Sequence, residues 1–571
     1  MNRKLIDHIL DECATLMELQ GENPFRCNAY RNAGRTIQQY DGDLDALLRE
    51  GGLESVRGLG KATAEYVREI AATGRLAFHD QLLEATPKGL VEMLRIPGFG
   101  AKRIKQVHDE LQIATIDELR DAGLTGRLAQ LKGFGAKLTT KILEGIEFLS
   151  KAKERVLYPE ARAWADAILE HLSSHPAVQR ISVCGSLRRL AETIKDVDVV
   201  VASVDPEPIL DRFTQMQGAL KVTARGDTKA SVVLESGTNA DLRVVKPNEY
   251  AFALNYFTGS KAHNIRLRSI AQDRGMKLNE YALLAGDHPT PCETEAELYA
   301  ALSLVEVPPE LREDSGEIEA AANGKLPKLL EAADLKGVFH CHTTASDGNA
   351  TLDEMAAAAQ AMGWQYLGIA DHSKTAAYAN GLSIERLLHQ RTQIDAYNAA
   401  HSDFKLFAGV ESDILADGSL DYPDDVLSTL DYVVASVHSQ FNLSTEAMTE
   451  RICTAIRHPR CTMLGHATGR LLLRRDPYSV DVERILVEAA AHGVWVEINA
   501  NPNRLDLDWT WCKRAKALGV RLVINPDAHS TSGLADTQYG VHVARRGWLE
   551  AGDVLNSRSS DEVAGLFQSR A

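Results

Sequence analysis

The run Cys184-Gly185-Ser186-Leu187-Arg188-Arg189, followed by Asp196-Val197-Asp198 and then Val199-Val200-Val201, decides how the middle of this chain folds. The apolar run reads as a β-strand. In a strand, residues i and i+2 point to one face, so Asp196 and Asp198 aim both carboxylates at one spot. That arrangement suits two hard divalent cations held close together. A third carboxylate, Asp241 in Ala240-Asp241-Leu242-Arg243-Val244, sits on another apolar run that can pair alongside. Gly185-Ser186 precedes the carboxylates at the distance of a loop that holds triphosphate oxygens, and Arg189 is placed to neutralise phosphate charge during transfer. An exposed Asp-x-Asp at a strand end is common by itself. Its combination with Gly185-Ser186 at this spacing is much rarer by chance, and points to a nucleotidyltransferase core.

Outward from that core the chain changes character. Residues 161–173 have helical spacing, and residues 181–184, 197–202, 231–234 and 240–245 read as strands, which makes 151–250 an α+β palm. Residues 251–315 are mixed. The stretch 316–333, after Pro308-Pro309 and within an acidic, Ala-rich region, reads as a linker. Residues 1–150 look almost wholly helical, broken by Gly58-Leu59-Gly60, Gly98-Phe99-Gly100 and Gly133-Phe134-Gly135, each opening a new helix: an internal repeat of helix–hairpin–helix units. Such glycines let the backbone approach a phosphate, and the next helix turns its free N–H groups toward the anion. Lys61, Lys102, Arg103, Lys105 and Lys137 follow the loops and add charge. A lone Gly-x-Gly merely closes a helix; three with adjacent basic residues predict binding to a DNA backbone without reading of sequence. The predicted divisions are 1–85 and 86–150, both helical and DNA-binding, then 151–250, 251–315, the linker, and 334–571.

From residue 334 onward, apolar runs end one after another in metal-ligand residues: His340-Cys341-His342, Asp371-His372, Glu411, His438, His466, Asn499 and Asp527-Ala528-His529. Helical segments at 352–362 and 482–492 lie between them. In a βα barrel the strand ends converge on one face, where chemistry occurs. Neutral imidazoles with carboxylates suit Zn²⁺, Mn²⁺ or Fe²⁺ rather than Mg²⁺ alone. One histidine at a strand end is usually structural; five strand ends carrying them are hard to explain as packing, because buried imidazoles at that density would lack partners.

Composition sets the frame. The 571 residues allow several domains with real cores. The net charge of −16 argues against a uniformly basic nucleic-acid coat, but local basic patches and backbone donors still bind DNA. The eight cysteines are scattered, without a Cys-x-x-Cys pair, and read as reduced thiols. No signal-peptide core and no long apolar run is seen. The expectation is a cytoplasmic, nucleoid-associated protein without a membrane span, and a monomer.

The motifs also resemble known families. Phe25-Arg26-Cys27-Asn28-Ala29-Tyr30-Arg31 resembles the 5′-phosphate-binding region in the small domain of DNA polymerase beta, which implies phosphate contacts from Arg26, Tyr30 and Lys61. The lysine that serves that family's lyase as Schiff-base nucleophile is replaced by Tyr66, so lyase activity is not expected. Tyr256-Phe257-Thr258-Gly259-Ser260, with Asn264, Arg268 and Asn279-Glu280-Tyr281, is similar to the nucleotide-binding subdomain of X-family DNA polymerases. The resemblance implies that Tyr256, Phe257 and Gly259 pack against the incoming sugar, Asn264 touches the base edge and Arg268 the template. It gives Gly185, Ser186 and Arg189 the triphosphate, and Asp196, Asp198 and Asp241 the catalytic Mg²⁺ or Mn²⁺. Lys195 departs from the pattern, standing where polymerase beta has a glycine. The C-terminal series resembles the PHP (polymerase and histidinol phosphatase) family, a distorted (βα)7 barrel holding three divalent metals. By that resemblance His340, His342, Glu411 and Asp527 hold one metal, Glu411 bridges to a second held with His438 and His466, and Asp347, His372 and His529 hold the third. Lys374, Asn499 and Arg504 are expected near phosphate. Together these parts resemble a bacterial X-family polymerase of the PolX type. The resemblance implies gap-filling synthesis from dNTPs on gapped or nicked DNA, with contacts to the primer 3′ end and the 5′-phosphate, and a 3′→5′ exonuclease. The alternatives are a PHP phosphatase tethered to DNA, or a non-catalytic DNA-end scaffold.

Overall fold

A computed structural model describes residues 3–38, 47–49, 52–56, 58–96 and 98–569. The chain divides into a mainly helical unit, formed by the residues up to Lys153 together with Ala376–Gly381, and a larger unit that carries all the sheets.

The helical unit repeats one hairpin three times. Gly58, Gly98 and Gly133 take φ of +105°, +74° and +88°, the left-handed region that penalises any side chain with a Cβ. The next residue, Leu59, Phe99 or Phe134, is buried. Its N–H donates three residues back, to the carbonyl of Val56, Ile96 or Leu131, at 3.0–3.1 Å. Helices Lys61–Thr73, Ala101–Leu111 and Ala136–Lys153 then begin directly after the second glycine. Phe99 and Phe134 meet edge to face at 6.3 Å, so consecutive hairpins share one core. Lys61, Lys102 and Lys137 stay exposed.

In the larger unit, a five-stranded mixed sheet is built from β1 (Arg180–Val183), β2 (Asp196–Ala202), β3 (Ala219–Arg225), β4 (Lys229–Leu234) and β5 (Asn239–Val245), in the order β1-β2-β5-β4-β3. β2 and β5 run parallel. The apolar patterning predicts four of these strands. It misses β3, whose residues are exposed and therefore carry no burial pattern. Helix Tyr158–Ser173 covers the sheet through Ala161, Ala165, Ile168 and Leu172.

The segment 316–333 is not a bare tether. It contains helix Glu317–Ala322, with Glu317 and Ile318 buried. Leu329 joins the core of the subdomain before it and Leu330 the core of the domain after it. These anchors are too far apart to show any periodicity in sequence, yet each finds an apolar pocket.

Seven parallel strands follow in sequential order: β6 (Gly337–Cys341), β7 (Tyr366–Ile369), β8 (Lys405–Asp413), β9 (Tyr432–Ser436), β10 (Met463–Leu464), β11 (Trp495–Asn499) and β12 (Leu522–Asn525). A parallel bridge from Cys341 to Ala528 brings the last strand's continuation against the first, which closes the ring. Phe339, Tyr366, Phe407, Tyr432 and Trp495 fill the lumen, and Phe567 of the last helix, Ser560–Gln568, packs against it with ring centroids 5.5–6.0 Å from four of them. Burying Phe567 contributes about 2 kcal/mol. Helix Thr537–Arg546 packs the barrel on the segments before it: Arg545 pairs with Glu310 at 2.7 Å, Arg546 with Glu313 at 2.9 Å, and Tyr158 packs on His542 at 5.0 Å. Arg470 reaches Glu192 at 2.7 Å. Among the described residues no helix is long and apolar enough to cross a membrane.

Candidate functional site

The first site forms at the start of β2. In its register with β5, Asp198 lies opposite Asp241 and Asp196 opposite Asn239. Neighbours in register share a face, so Asp198 and Asp241 stand side by side with Asp196 two residues away. Burial pushes the Asp198 carboxyl up to about 7, and the charges of Asp241 and Asp196 add to it. Three carboxylates crowded in this way favour a cation between them. Two of them are held in place by side chains. Asn239 Nδ2 donates to Asp196 at 3.1 Å, Ser231 Oγ donates to Asp241, and Lys229 Nζ stands 3.6 Å from Asp241. Gly185 closes the site from above with φ +61°. A Cβ there would lie 2.2 Å from Asp198 Oδ2, so the loop's approach to the carboxylate demands glycine.

Around the carboxylates, Ser186 lies in the short helix Gly185–Arg188. Arg189 follows it, its Nε bonded to Glu313 at 2.9 Å and its Nη1 to the Thr258 carbonyl at 2.8 Å. The Tyr256-Phe257-Thr258-Gly259 turn ends helix Tyr250–Thr258. Asn264 Nδ2 spans that turn, donating to the carbonyls of Tyr256 at 2.7 Å and Gly259 at 3.2 Å. Arg243, two residues beyond Asp241 on β5, lies over the Phe257 ring at 4.7 Å. Arg268 is exposed on helix Lys261–Asp273.

The second site occupies the C-terminal mouth of the barrel. All nine expected ligands converge there in overlapping groups whose ligand atoms lie within 4.8 Å of one another: His342, Asp347, His372 and His529; His340, His466 and Asp527; His340, His342 and Glu411; and His372, Glu411 and His438. The grouping differs in part from the expected one. His466 falls with His340 and Asp527, although its Nε2 also stands 3.0 Å from Glu411, and His342 joins the Asp347 set. His340, His466 and Asp527 take φ of +56°, +22° and +52°, backbone that non-glycine residues adopt at a cost and that clusters at functional sites.

The residues present fit divalent cations. Both ring nitrogens of His342, Nε2 of His340 and Oε2 of Glu411 are buried without a partner of hydrogen-bond geometry. Instead His340 Nε2 faces Glu411 at 3.1 Å, His342 Nε2 faces Asp527 at 3.2 Å and Glu411 at 3.9 Å, His342 Nδ1 faces Asp347 at 4.0 Å, and Glu411 Oε2 faces His372 at 2.8 Å. Burial, then the neighbouring His529 and His372, lowers His342 to about 4, which keeps its lone pairs available. Burial opposes ionisation of Glu411, but His438, His340 and His372 hold it well below the usual carboxylate range.

Residues 1–76 of the chain match a helix-hairpin-helix domain, 50–113 and 90–147 a SAM-like helix-hairpin-helix tandem, 253–313 the DNA polymerase beta thumb, and 339–501 the PHP domain. Over the full length of both chains it is 39% identical to the DNA polymerase/3′-5′ exonuclease PolX of Bacillus subtilis. The chain belongs to the PolX family. Two other relatives match a part of it. DNA polymerase lambda of Rattus norvegicus is 29% identical over 252 residues, 40% of this chain and 41% of that one. A Thermoanaerobacter protein named "Probable phosphatase" is 26% identical over 239 residues, 39% of this chain and 91% of that one.

Several residues of this PolX-family chain escape the sequence reading. Glu497 is buried and accepts His340 Nδ1 at 2.6 Å, the His466 N–H at 3.0 Å, and Asn499 and Asn525 at 2.9 Å each. Asp413 accepts His438 Nδ1 at 2.6 Å. Both stand two residues from a strand-end polar group, Asn499 or Glu411, so strand alternation is the signal that would have found them. Asn499 is buried and donates to Asp527 at 3.1 Å, which makes it a support for that carboxylate. Arg504 lies 3.6 Å from Asp527, and Lys374 is half exposed, 4.0 Å from Asp421. Glu497→Gln is expected to weaken metal binding about 10- to 100-fold, measured by chelator competition, because the imidazole of His340 loses its orienting acceptor. Unchanged affinity would contradict that role.

At the N-terminal end, Arg26 is exposed and pairs with Glu22 at 3.2 Å. Tyr30 is buried, its ring 5.9 Å from Tyr66 and 5.8 Å from Phe78, and Tyr66 stacks on Phe78 at 5.4 Å. Burial, then Tyr66, pushes the Tyr30 hydroxyl up to about 12. Tyr30, Tyr66 and Phe78 thus form one aromatic cluster.

Proposed function

We propose that this chain is a DNA-directed DNA polymerase that fills short gaps during repair, and that its barrel is a 3′→5′ exonuclease that processes the same DNA ends. The observation that carries this reading is the register of Asp198 against Asp241 with Asp196 alongside, in a chain whose other end gathers six imidazoles and three carboxylates in one mouth. A phosphatase tethered to DNA would have no use for the first of these, and a scaffold for neither.

Asp196, Asp198 and Asp241 hold Mg²⁺ or Mn²⁺. The barrel would hold three divalent ions drawn from Zn²⁺, Mn²⁺ and Fe²⁺: His340, His342, Glu411 and Asp527 would bind one, Glu411, His438 and His466 a second, and Asp347, His372 and His529 a third. When bound, such cations would supply countercharge to phosphate and a lowered pKa to the attacking oxygen. The side chains do the rest. Asp241, steadied by Ser231 and Lys229, takes the proton of the primer 3′-hydroxyl. Gly185, Ser186 and Arg189 hold the β- and γ-phosphates of a dNTP. Tyr256, Phe257 and Gly259 lie against its sugar, Asn264 reaches the base edge and Arg268 the template. In the helical unit, the Gly58–Gly60, Gly98–Gly100 and Gly133–Gly135 hairpins with Lys61, Lys102 and Lys137 grip the DNA backbone, and Arg26 with Tyr30 lies by the 5′-phosphate. The protein works as a cytoplasmic monomer on nucleoid DNA and has no lyase activity, because Tyr66 cannot form a Schiff base.

Primer extension by the full chain on a gapped duplex tests the reading. Addition of dNTPs up to the gap end is expected with Mg²⁺ or Mn²⁺. No extension with either ion would rule out the polymerase.

A further inference from the structure

Arg189, the proposed phosphate-binding arginine, already has a carboxylate partner in Glu313. The Glu313 oxygen that accepts Arg189 Nε at 2.9 Å also accepts Nη2 of Arg546, again at 2.9 Å. Arg546 ends the barrel helix Thr537–Arg546, so one carboxylate oxygen joins the polymerase site to the barrel. Little water reaches it: the side chains of Arg189, Glu313 and Arg546 are 14%, 15% and 6% exposed. Arg546 is fixed from the far side, its guanidinium 4.4 Å over the Trp509 ring.

A triphosphate and Glu313 compete for the same guanidinium. When Arg189 turns to the phosphates, Glu313 is left in a place poor in water, where a carboxylate without a countercharge is costly. Arg546 remains beside it and removes that cost. We propose that Arg546 is a positioning residue for nucleotide binding: the barrel supplies the cation that lets Glu313 release Arg189 to the incoming triphosphate. This rests on the phosphate role of Arg189 proposed above.

The test is the dNTP KM and kcat for gap filling by the full chain, in Arg546→Gln, Arg546→Lys, Glu313→Gln, the Arg546→Gln/Glu313→Gln pair and Arg189→Gln. Arg546→Gln raises KM about tenfold with much less effect on kcat, and Arg546→Lys restores most of the loss. In the Glu313→Gln background, where no carboxylate needs to be released, the Arg546 change adds nothing. Digestion from the 3′ end stays at the wild-type rate in the Arg546 and Glu313 variants. An unchanged KM in Arg546→Gln overturns the proposal, and so do KM effects that simply add in the pair. A general fold defect would lower kcat and digestion together and leave the KM effects additive, which is also an overturning result. An unchanged KM in Arg189→Gln would remove the phosphate reading of Arg189 itself, a failure distinct from the others.

Discussion

Asp198→Asn is expected to lower gap-filling synthesis about a thousandfold or more and to leave 3′→5′ digestion at its wild-type rate. The amide keeps the shape of the side chain beside Gly185 and in register with Asp241, but it cannot supply the charge that holds a cation. The loss is chemical rather than structural, and stability gives an independent check. With its carboxyl pushed up to about 7 by burial and by Asp241 and Asp196, ionised Asp198 disfavours the folded, metal-free state at and above neutral pH. The neutral amide removes that cost. Thermal unfolding in chelator at pH 8 is therefore expected to show a Tm equal to or above that of the parent chain. A lower Tm would mean that the carboxylate supports the fold, and the loss of synthesis would then have another cause.

Glu411→Gln is expected to do the reverse, cutting digestion by about a hundredfold to a thousandfold while synthesis continues. Glu411 is buried at the centre of the mouth. One oxygen lies 3.0–3.3 Å from Nε2 of His340, His438 and His466, and the other 2.8 Å from Nδ1 of His372. No other carboxylate there touches so many of the imidazoles. The substitution removes the charge that faces these four histidines and leaves them an amide. The variant should also bind fewer equivalents of divalent metal, measured by elemental analysis after dialysis. Digestion at the wild-type rate, with full metal content, would mean that Glu411 is not a ligand and that the nuclease lies elsewhere.

Much of both sites was legible in sequence because their ligands lie on short strands or just past them. A carboxylate pair at i and i+2 keeps its geometry wherever the strand runs, so Asp196 and Asp198 announced themselves. A series of apolar runs each ending in His, Asp or Glu has few architectures open to it, and the parallel barrel is one that brings the ends together. The supporting groups were hidden because their role depends on what packs beside them. Glu497 looks like a polar interruption in Trp495–Asn499 until His340 is seen 2.6 Å away. Glu313 and Arg546 are separated by 233 residues and have no motif in common; only the folded chain places them on one another. The exposed strand β3 and the packed segment 316–333 were missed for a related reason. Solvent exposure erases alternation in the one, and the other is held by isolated anchors such as Ile318, Leu329 and Leu330.

The central claim is that one chain carries two separate active sites. It is tested most directly by Asp196→Ala/Asp198→Ala and His340→Ala/His342→Ala, assayed side by side on one end-labelled gapped duplex, with dNTPs to read extension and without them to read digestion. The first variant is predicted to shorten the primer and never lengthen it, the second to lengthen it and never shorten it. Loss of both activities in either variant, or digestion that persists when His340 and His342 are gone, would contradict the account.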